Sequence, residues 1–249
     1  IANPSPRLRY TKALGFFHGF PSSLAKFMTD SRLSQTVRVT EVYRSIQGES
    51  TWAGVPCVFI RLTGCNLRCV WCDTAYAFTG GEVRTLGAVL AECTALETEL
   101  VEITGGEPLA QAGCAVLAEL LVEAGRRVLV ETSGSLPIDT LPDAVHRIMD
   151  LKCPDSGECG KNLWLNVEAL RRERDEVKFV IASRRDYEWS RDVVTRYNLA
   201  ERCRAVLFSP VFGAVEAAAL VDWILEDRLP VRFQLQMHKF IWPPDQQGV

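Results

Sequence analysis

The chain has 249 residues, of which 47% are hydrophobic and 24% are charged. This composition supplies enough apolar residues for a sizeable core and excludes global disorder. The formal net charge of -3 argues against a broad surface for nucleic acid phosphates. There is no run of about 18 apolar residues, as a transmembrane helix requires, and no signal-peptide pattern. We therefore expect a cytoplasmic protein with no direct nucleic acid or membrane partner.

Regular patterning begins near residue 37, where short apolar runs start to alternate with longer helical patterns. The predicted strands are Val37–Tyr43, Val55–Leu62, Leu100–Thr104, Arg127–Glu131, Ile148–Lys152, Val177–Ile181, Ala205–Phe208 and Val231–Gln236. The predicted helices are Leu86–Glu97, Gly113–Glu123, Asn166–Arg174, Tyr187–Tyr197 and Val215–Glu226. This alternation predicts an α/β fold with a mostly parallel sheet. Because there are too few units for a closed eightfold barrel, we expect residues 37–249 to form a partial parallel β/α barrel after an irregular extension, residues 1–36.

Several distinctive motifs stand directly after predicted strands. Cys65 follows the second strand, Gly105–Pro108 the third, Thr132–Gly134 the fourth and Ser209-Pro210 the seventh. In a parallel barrel the loops after the strands open on one face, where the active site lies. We therefore expect these motifs to converge there although they are far apart in sequence.

Three cysteines form a C-x3-C-x2-C motif at Cys65, Cys69 and Cys72. Thiolates are the preferred ligands of a [4Fe–4S] cluster, usually one per iron, so a tight trio leaves one iron without a protein ligand. Structural zinc is the alternative, with Cys57 as the fourth ligand, and chance cysteines are another. The chain has nine cysteines, and in a reducing compartment we expect free thiols or metal ligands.

The motif resembles the signature of the radical S-adenosylmethionine (SAM) superfamily, in which SAM binds the open iron. Trp71, just before the third cysteine, matches the aromatic residue of that signature. Gly105–Pro108 resembles the superfamily's GGEP motif, which binds the SAM amino group; on its own it would be an ordinary βα turn. The order of the two motifs on successive strand ends strengthens the resemblance.

Further stretches narrow this resemblance to the 7-carboxy-7-deazaguanine synthase family of queuosine and deazapurine biosynthesis. They are Ser45–Glu49, Phe59–Cys65, Cys72–Thr74 and Leu235–Lys239. The resemblance implies a lyase that converts 6-carboxy-5,6,7,8-tetrahydropterin to 7-carboxy-7-deazaguanine with loss of ammonia. Hydrogen abstraction by a SAM-derived radical and a Mg²⁺-assisted ring contraction would carry the reaction. The family resemblance also implies a homodimer and an electron donor such as flavodoxin.

The same resemblance assigns site residues. The cluster ligands are Cys65, Cys69 and Cys72, and the Mg²⁺ ligand is Thr74. The SAM contacts are Trp71, Cys72, Asp73, Gly106, Glu107, Ser133, Lys152, Cys153, Pro154, Ser209, Pro210, Val211 and Phe212. The substrate contacts are Ile46, Gln47, Gly48, Glu49, Arg61, Thr104, His238 and Val249.

Side-chain chemistry agrees with several of these assignments. Gln47 offers both donor and acceptor to an aminopyrimidinone edge, Glu49 accepts, and Arg61 can hold a carboxylate in a bidentate fork. A threonine hydroxyl suits Mg²⁺, which prefers oxygen ligands. Without the resemblance, Thr74 is an N-cap or turn residue and Arg61 a solvated or ion-paired side chain. The resemblance implies that Val249 reaches the substrate through its carboxylate. We expect Cys153 and Cys159 to be free thiols.

Two other functions stay open on the sequence. One is a radical SAM activase of a glycyl-radical enzyme, which acts on a protein partner and does not need Gln47, Glu49, Arg61 and Thr74 together. The other is a zinc-binding or iron–sulphur electron-transfer module without catalysis. Iron and zinc analysis distinguishes the zinc-binding module from the enzyme.

Overall fold

A computed structural model describes residues 30–249, so most of the predicted extension, residues 1–36, lies outside the described residues. Residues 32–249 form one compact unit. The strands in this part of the chain are β1 Thr36–Ile46, β2 Pro56–Leu62, β3 Glu82–Thr85, β4 Leu100–Gly105, β5 Arg127–Thr132, β6 His146–Asp150, β7 Glu176–Ile181, β8 Ala205–Pro210 and β9 Arg232–Phe233.

Helices connect most of the parallel strands. They are α1 Leu86–Ala95, α2 Gly113–Glu123, α3 Leu165–Glu168, α4 Arg184–Arg196, α5 Leu199–Arg202, α6 Ala217–Glu226 and α7 His238–Ile241. Short 3₁₀ turns span Ser31–Ser34, Ala75–Phe78, Pro108–Ala110, Pro154–Ser156 and Cys159–Lys161. No helix within residues 30–249 has the length and apolar character needed to cross a bilayer.

The strands form one open sheet in the order β3-β1-β2-β4-β5-β6-β7-β8-β9. The first three strands pair antiparallel, β1 with both β2 and β3, and every other pair, from β2–β4 to β8–β9, is parallel. Strands of a parallel sheet are buried on both faces, and every residue of β4 is buried. The predicted partial barrel with a mostly parallel sheet is therefore confirmed.

A hydrophobic core lies around the second half of the sheet. Phe179 of β7 and Phe208 of β8 are fully buried, with ring centroids 5.4 Å apart in an edge-to-face contact. Tyr187 of α4 packs on the same ring of Phe208. This helix begins where the Ser183 side chain accepts a hydrogen bond from the Asp186 backbone N–H. The packing makes the sheet a rigid support for the loops at its carboxyl edge.

The predicted helix Asn166–Arg174 is wrong beyond Glu168, where α3 ends. Arg171 does not continue the helix: its backbone N–H donates to the Asp175 carboxylate, and its guanidinium donates to the carbonyls of Asp143 and Val145. Side-chain hydrogen bonds of this kind compete with the helical pattern. The charge run therefore forms a turn that is held by buried Asp175.

Two strand predictions also need correction. Only Arg232 and Phe233 of the predicted strand Val231–Gln236 pair with β8, because the chain then turns away and Gln236 contacts Glu49 instead. The short strand β3, which pairs with the start of β1, was not predicted. Its four residues are mostly exposed and too short for a clear alternating pattern.

Candidate active site

A cavity of about 620 Å³ lies at the carboxyl edge of the parallel strands. Of the residues assigned from the sequence, those lining it are Ile46, Gln47, Gly48, Glu49, Arg61, Cys65, Cys69, Trp71, Cys72, Asp73, Thr74, Thr104, Gly106, Ser133, Lys152, Val211, Phe212, His238 and Val249. These residues span 204 positions of the chain (46 to 249). The motifs after the second, third and fourth predicted strands thus meet at one place, as loops after parallel strands do. The expected convergence does not extend to Ser209 and Pro210, which lie within β8.

Five assigned residues do not line the cavity. They are Glu107, Cys153, Pro154, Ser209 and Pro210. Ser209 and Pro210 are buried within β8, and Cys153 is buried with its sulphur 3.4 Å from the Ser190 hydroxyl. These five remain predictions as SAM contacts, and none of them lines the cavity.

The loop after β2 carries the cysteine trio. Cys65, Cys69 and Cys72 are free, partly exposed and face the cavity. Burial raises the pKa of the Cys65 thiol and raises that of Cys69 to about 11. No three His, Cys, Asp or Glu side chains within residues 30–249 are gathered as ligands of a single ion. The three thiols line one cavity, and thiolates are the usual ligands of an iron–sulphur cluster.

Cys57, the fourth ligand in the zinc alternative, is fully buried in β2. It packs in an apolar group with Leu100 and Leu129 and does not line the cavity. Burial in these surroundings raises the pKa of its thiol. It is therefore a core residue.

Two glycines let the turn after β4 lie directly on the cysteine loop. Gly105 has φ +148, and a Cβ on Gly106 would lie 2.3 Å from the Gly64 carbonyl oxygen and 2.7 Å from Cys65 Cβ. The Gly106 N–H donates to the Leu62 carbonyl at 3.2 Å. Only glycine allows this approach, so the motif brings its backbone to the cavity wall beside Cys65.

Glu107 holds two strand-end loops together. Its fully buried carboxylate accepts hydrogen bonds from the Thr132 hydroxyl at 2.8 Å, the Ser133 N–H at 2.7 Å and the Leu109 N–H at 2.9 Å. A carboxylate with several donors is well satisfied in the interior. Glu107 therefore holds Ser133 in place. Ser133 lines the cavity, whereas Glu107 does not.

Arg61 is both ion-paired and exposed to the cavity. Its Nε donates to Glu41 at 2.7 Å and its Nη2 to the Tyr43 hydroxyl at 3.1 Å. The Tyr76 hydroxyl donates to the same Glu41 oxygen at 2.8 Å. Within the described residues Nη1 has no hydrogen-bond acceptor. The Arg61 guanidinium is thus held by Glu41 and Tyr43, and its Nη1 remains free to donate to an anionic ligand.

Gln47 and Glu49 have protein partners that sequence reasoning did not foresee. The Gln47 amide donates to the Glu102 carboxyl and accepts from the Glu49 backbone N–H at 2.6 Å. The Glu49 carboxylate lies 2.9 Å from Lys178 Nζ and accepts from the Gln236 amide at 3.0 Å. Burial acts to raise the pKa of Glu49, but the Lys178 ammonium outweighs it and the pKa is lowered.

A buried group of charges in the cavity wall was missed from the sequence. Lys178 of β7 contacts Glu131 as well as Glu49, and its Nζ lies 3.7 Å from Asp150. Asp150 also pairs with Lys152 at 3.0 Å. The one available signal was a lysine within the otherwise apolar run Val177–Ile181, since an unpaired lysine is almost never fully buried.

The C-terminal segment closes one side of the cavity. Lys239 pairs with Asp73 at 2.7 Å, and the Met237 N–H donates to the Gly48 carbonyl at 3.0 Å. His238 lies against Gly48, where a Cβ would be 2.8 Å from its Nδ1. Burial lowers the pKa of His238, so its imidazole is neutral at pH 7.

Thr74 occupies the N-cap position of the turn Ala75–Phe78 but makes no side-chain cap hydrogen bond. Its hydroxyl lies 3.7 Å from the Cys72 sulphur and borders the cavity. The capping role that Thr74 would have without the family resemblance is therefore not observed. A hydroxyl in this position is available to a hard cation such as Mg²⁺.

An open, mostly parallel sheet with a three-cysteine loop at its carboxyl edge defines the radical SAM class, and residues 59–203 match the family model described as the Radical SAM superfamily. A 7-carboxy-7-deazaguanine synthase of Koribacter versatilis is 46% identical over 227 residues, covering 86% of this chain and 100% of that protein. The chain belongs to the 7-carboxy-7-deazaguanine synthase family. The predicted family, enzyme class and cofactor set, a [4Fe–4S] cluster, SAM and Mg²⁺, are thereby confirmed.

A second relative and a solved structure are also similar to this chain. A 7-carboxy-7-deazaguanine synthase of Chlorobaculum tepidum is 43% identical over 217 residues, covering 86% of this chain and 97% of that protein. The crystal structure of QueE from Escherichia coli has a TM-score of 0.70 at 21% identity and covers 88% of this chain and 99% of that chain. It shows the same fold. The family match leaves no support for the activase and zinc-module alternatives.

Proposed function

We propose that the protein converts 6-carboxy-5,6,7,8-tetrahydropterin to 7-carboxy-7-deazaguanine with loss of ammonia, in queuosine or deazapurine biosynthesis. The observation that carries the proposal is the single cavity that holds the cysteine trio together with the free donor edge of Arg61. The names of the relatives support the choice of product, because the alignment with the first of them covers 100% of that protein.

The cluster and SAM, when bound, supply the radical that starts the reaction. We assign the cluster to Cys65, Cys69 and Cys72, and Mg²⁺ to the Thr74 hydroxyl. The backbone at Gly106 and the polar groups of Ser133 and Lys152 line the part of the wall next to the cysteine loop in our assignment of the SAM site. Lys152 stays charged because, although burial opposes its charge, the neighbouring Asp150 carboxylate raises its pKa.

Arg61 receives the substrate carboxylate in this proposal. Glu41 and Tyr43 hold its guanidinium, so little side-chain entropy is lost when a ligand binds. The stacked rings of Tyr43 and Phe59, 5.2 Å apart, give the same wall a flat aromatic surface beside the fork. A planar bicyclic ring with a carboxylate matches these two features.

The rest of the cavity wall, formed by Lys178 and the C-terminal segment, sets the charge around the substrate and limits its contact with water. Lys178 keeps a positive charge between Glu49 and Glu131, although burial opposes it, because the surrounding carboxylates raise its pKa. Neutral His238 on the C-terminal segment can accept or donate a proton at a ring nitrogen. The pairs Lys239–Asp73 and Gln236–Glu49 hold that segment over the cavity and limit access of water.

We further propose a cytoplasmic homodimer that takes its electron from a donor such as flavodoxin. The nine cysteines are free thiols, which suits a reducing compartment. Phe212, Phe240 and Ile241 are exposed apolar side chains, and the first two rings lie 5.7 Å apart. A cluster of this kind supports a contact with a second copy. Light scattering of the reconstituted protein tests the dimer: a monomer mass at micromolar concentration would contradict it.

Activity is tested with the anaerobically reconstituted protein, SAM, a reductant and carboxytetrahydropterin. We expect 7-carboxy-7-deazaguanine and ammonia in equal amounts. The Cys69→Ala variant should lose bound iron and product together, whereas Cys159→Ala, at a partly exposed cysteine outside the cavity, should keep both. Absence of the product from iron-loaded parent protein would refute the proposed function.

A further inference from the structure

Glu102 is an unexpected residue for the middle of β4. The strand Leu100–Gly105 is buried throughout, and Glu102 itself is 1% exposed. Its apolar neighbours in the strand point into the core, whereas Glu102 lines the cavity. A carboxyl in such a position costs stability unless it makes a specific interaction.

The interaction it makes is with Gln47, 55 residues earlier in the chain. The Gln47 amide nitrogen donates to Glu102, which orients the amide so that its oxygen accepts from the Glu49 backbone N–H at 2.6 Å. The backbone of Gln47 is held as well, because its carbonyl accepts from the Gly54 N–H at 2.7 Å. A continuous series of hydrogen bonds thus runs from β4 into the turn that carries Glu49.

The series continues to the opposite wall. Glu49 contacts Lys178 of β7 and Gln236 of the C-terminal segment through separate carboxylate oxygens. The conformation of the turn at residues 47–49 therefore determines where Glu49 meets both. Glu102 is the residue at which this series begins on the rigid sheet.

We propose that Glu102 is a positioning residue, which holds the Gln47 amide and through it the turn at residues 47–49 in the shape that the substrate meets. Its hydrogen bond with Gln47 is the only side-chain hydrogen bond of Glu102 within the described residues. Burial and the neighbouring Glu131 carboxylate raise the pKa of Glu102 well above its usual value. A glutamine in its place keeps the size and an acceptor for Gln47.

Hydrogen exchange tests the positioning without any substrate. In the cluster-loaded protein, Glu102→Leu should exchange about tenfold faster than the parent in peptides covering residues 47–54, the size expected for loss of one hydrogen bond in a buried series. Glu102→Gln should match the parent. Ile103→Val, in the same buried strand but outside the cavity, is the matched control and should leave these peptides unchanged.

The consequence for turnover rests on the proposed substrate. Glu102→Leu should raise the KM for carboxytetrahydropterin about tenfold and lower kcat much less, with Glu102→Gln restoring the parental KM. A double-mutant cycle with Gln47→Leu should be strongly non-additive, because both changes remove one series of contacts. Unchanged exchange in Glu102→Leu, or additive effects in the cycle, would overturn the proposal.

Failure of the two proposals is distinguishable. If the parent makes no deazaguanine but exchange at residues 47–54 rises in Glu102→Leu, the proposed function fails and the positioning role stands. If Glu102→Leu does not fold, Gln47→Leu must show the same faster exchange, since it breaks the series from the other side. Parental exchange in Gln47→Leu would then refute the role.

Discussion

Lys239 Nζ lies 2.7 Å from the Asp73 carboxylate, which joins the C-terminal segment to the loop that carries the three cysteines. Lys239 is 9% exposed and Asp73 is 41% exposed, so the pair lies at the cavity rim and is only partly screened by water. Asp73 directly follows Cys72 in the sequence and Lys239 lies in α7, so the pair joins the two sides of the cavity.

Lys239→Met should weaken substrate binding without loss of the cluster. The segment keeps the Gln236–Glu49 and Met237–Gly48 contacts, so it stays in place but closes less tightly. We expect KM for the substrate to rise about tenfold, which corresponds to about 1.4 kcal/mol. Steady-state kinetics and iron analysis measure this. Lys161→Met, at an exposed lysine outside the cavity, should behave as the parent.

Thr74→Ala should reduce the response of the enzyme to Mg²⁺. The Thr74 hydroxyl caps no helix and borders the cavity, so its removal costs the protein little stability while it takes one oxygen ligand from the metal. We expect the Mg²⁺ concentration for half-maximal rate to rise about tenfold and iron content to stay parental. Thr74→Ser, which keeps the hydroxyl, should restore the response. An identical Mg²⁺ titration in Thr74→Ala would refute the assignment.

Asp175→Asn should destabilise the fold at neutral pH. Buried Asp175 accepts from Arg147 and Arg171, and loss of one partner in such a buried group costs about 3–5 kcal/mol. Burial acts to raise the pKa of Asp175, but the two guanidinium groups outweigh it and the pKa is lowered. Its contribution is therefore complete above the unfolded pKa of about 3.9 and is lost as pH falls through the lower folded value.

Urea denaturation of the cluster-free protein checks this pH dependence. The difference in the free energy of unfolding between parent and Asp175→Asn should be constant from pH 7 to about pH 5 and should shrink only below about pH 4. Asp143→Asn, at a fully exposed partner of Arg171, is the control and should change stability little. A difference that already shrinks at pH 6 would contradict the lowered pKa.

Local patterns were enough to predict much of the fold. The bounds of helix Gly113–Glu123 match the structure, and the loops after the parallel strands bring Cys65, Gly106 and Ser133 to one cavity. These predictions succeed because apolar periodicity and strand order act over short distances. The prediction of a helix over Asn166–Arg174 was wrong because the Arg171 backbone N–H donates to the Asp175 carboxylate instead of continuing the helix. This hydrogen bond depends on the burial of Asp175, which the local sequence does not indicate.

The side-chain partners in the site could not be predicted. Lys178 and Glu49 are 129 residues apart, and Gln47 and Glu102 are 55 apart. Chemistry identified Gln47 and Glu49 as polar groups for a ligand, and both line the cavity. Which atoms of Gln47 and Glu49 hydrogen-bond to other residues of the chain depends on the packing of distant strands. A local sequence pattern does not predict that packing.

Gly106→Ala should damage the site through a single methyl group. That Cβ would lie 2.3 Å from the Gly64 carbonyl oxygen and 2.7 Å from Cys65 Cβ, so the turn after β4 must move away from the cysteine loop. Gly106 does not have a positive φ, hence the backbone itself tolerates alanine and the effect comes from this contact alone. We expect SAM affinity to fall at least about tenfold, with the cluster bound less completely. Equilibrium binding of SAM and iron analysis measure the two effects.

Gly160→Ala is the matched control, because nothing lies within 4 Å of its added Cβ, and it should bind iron and SAM as the parent does. Parental SAM affinity in Gly106→Ala would show that the turn can move without cost, and would refute the role of the close approach between Gly106 and Cys65.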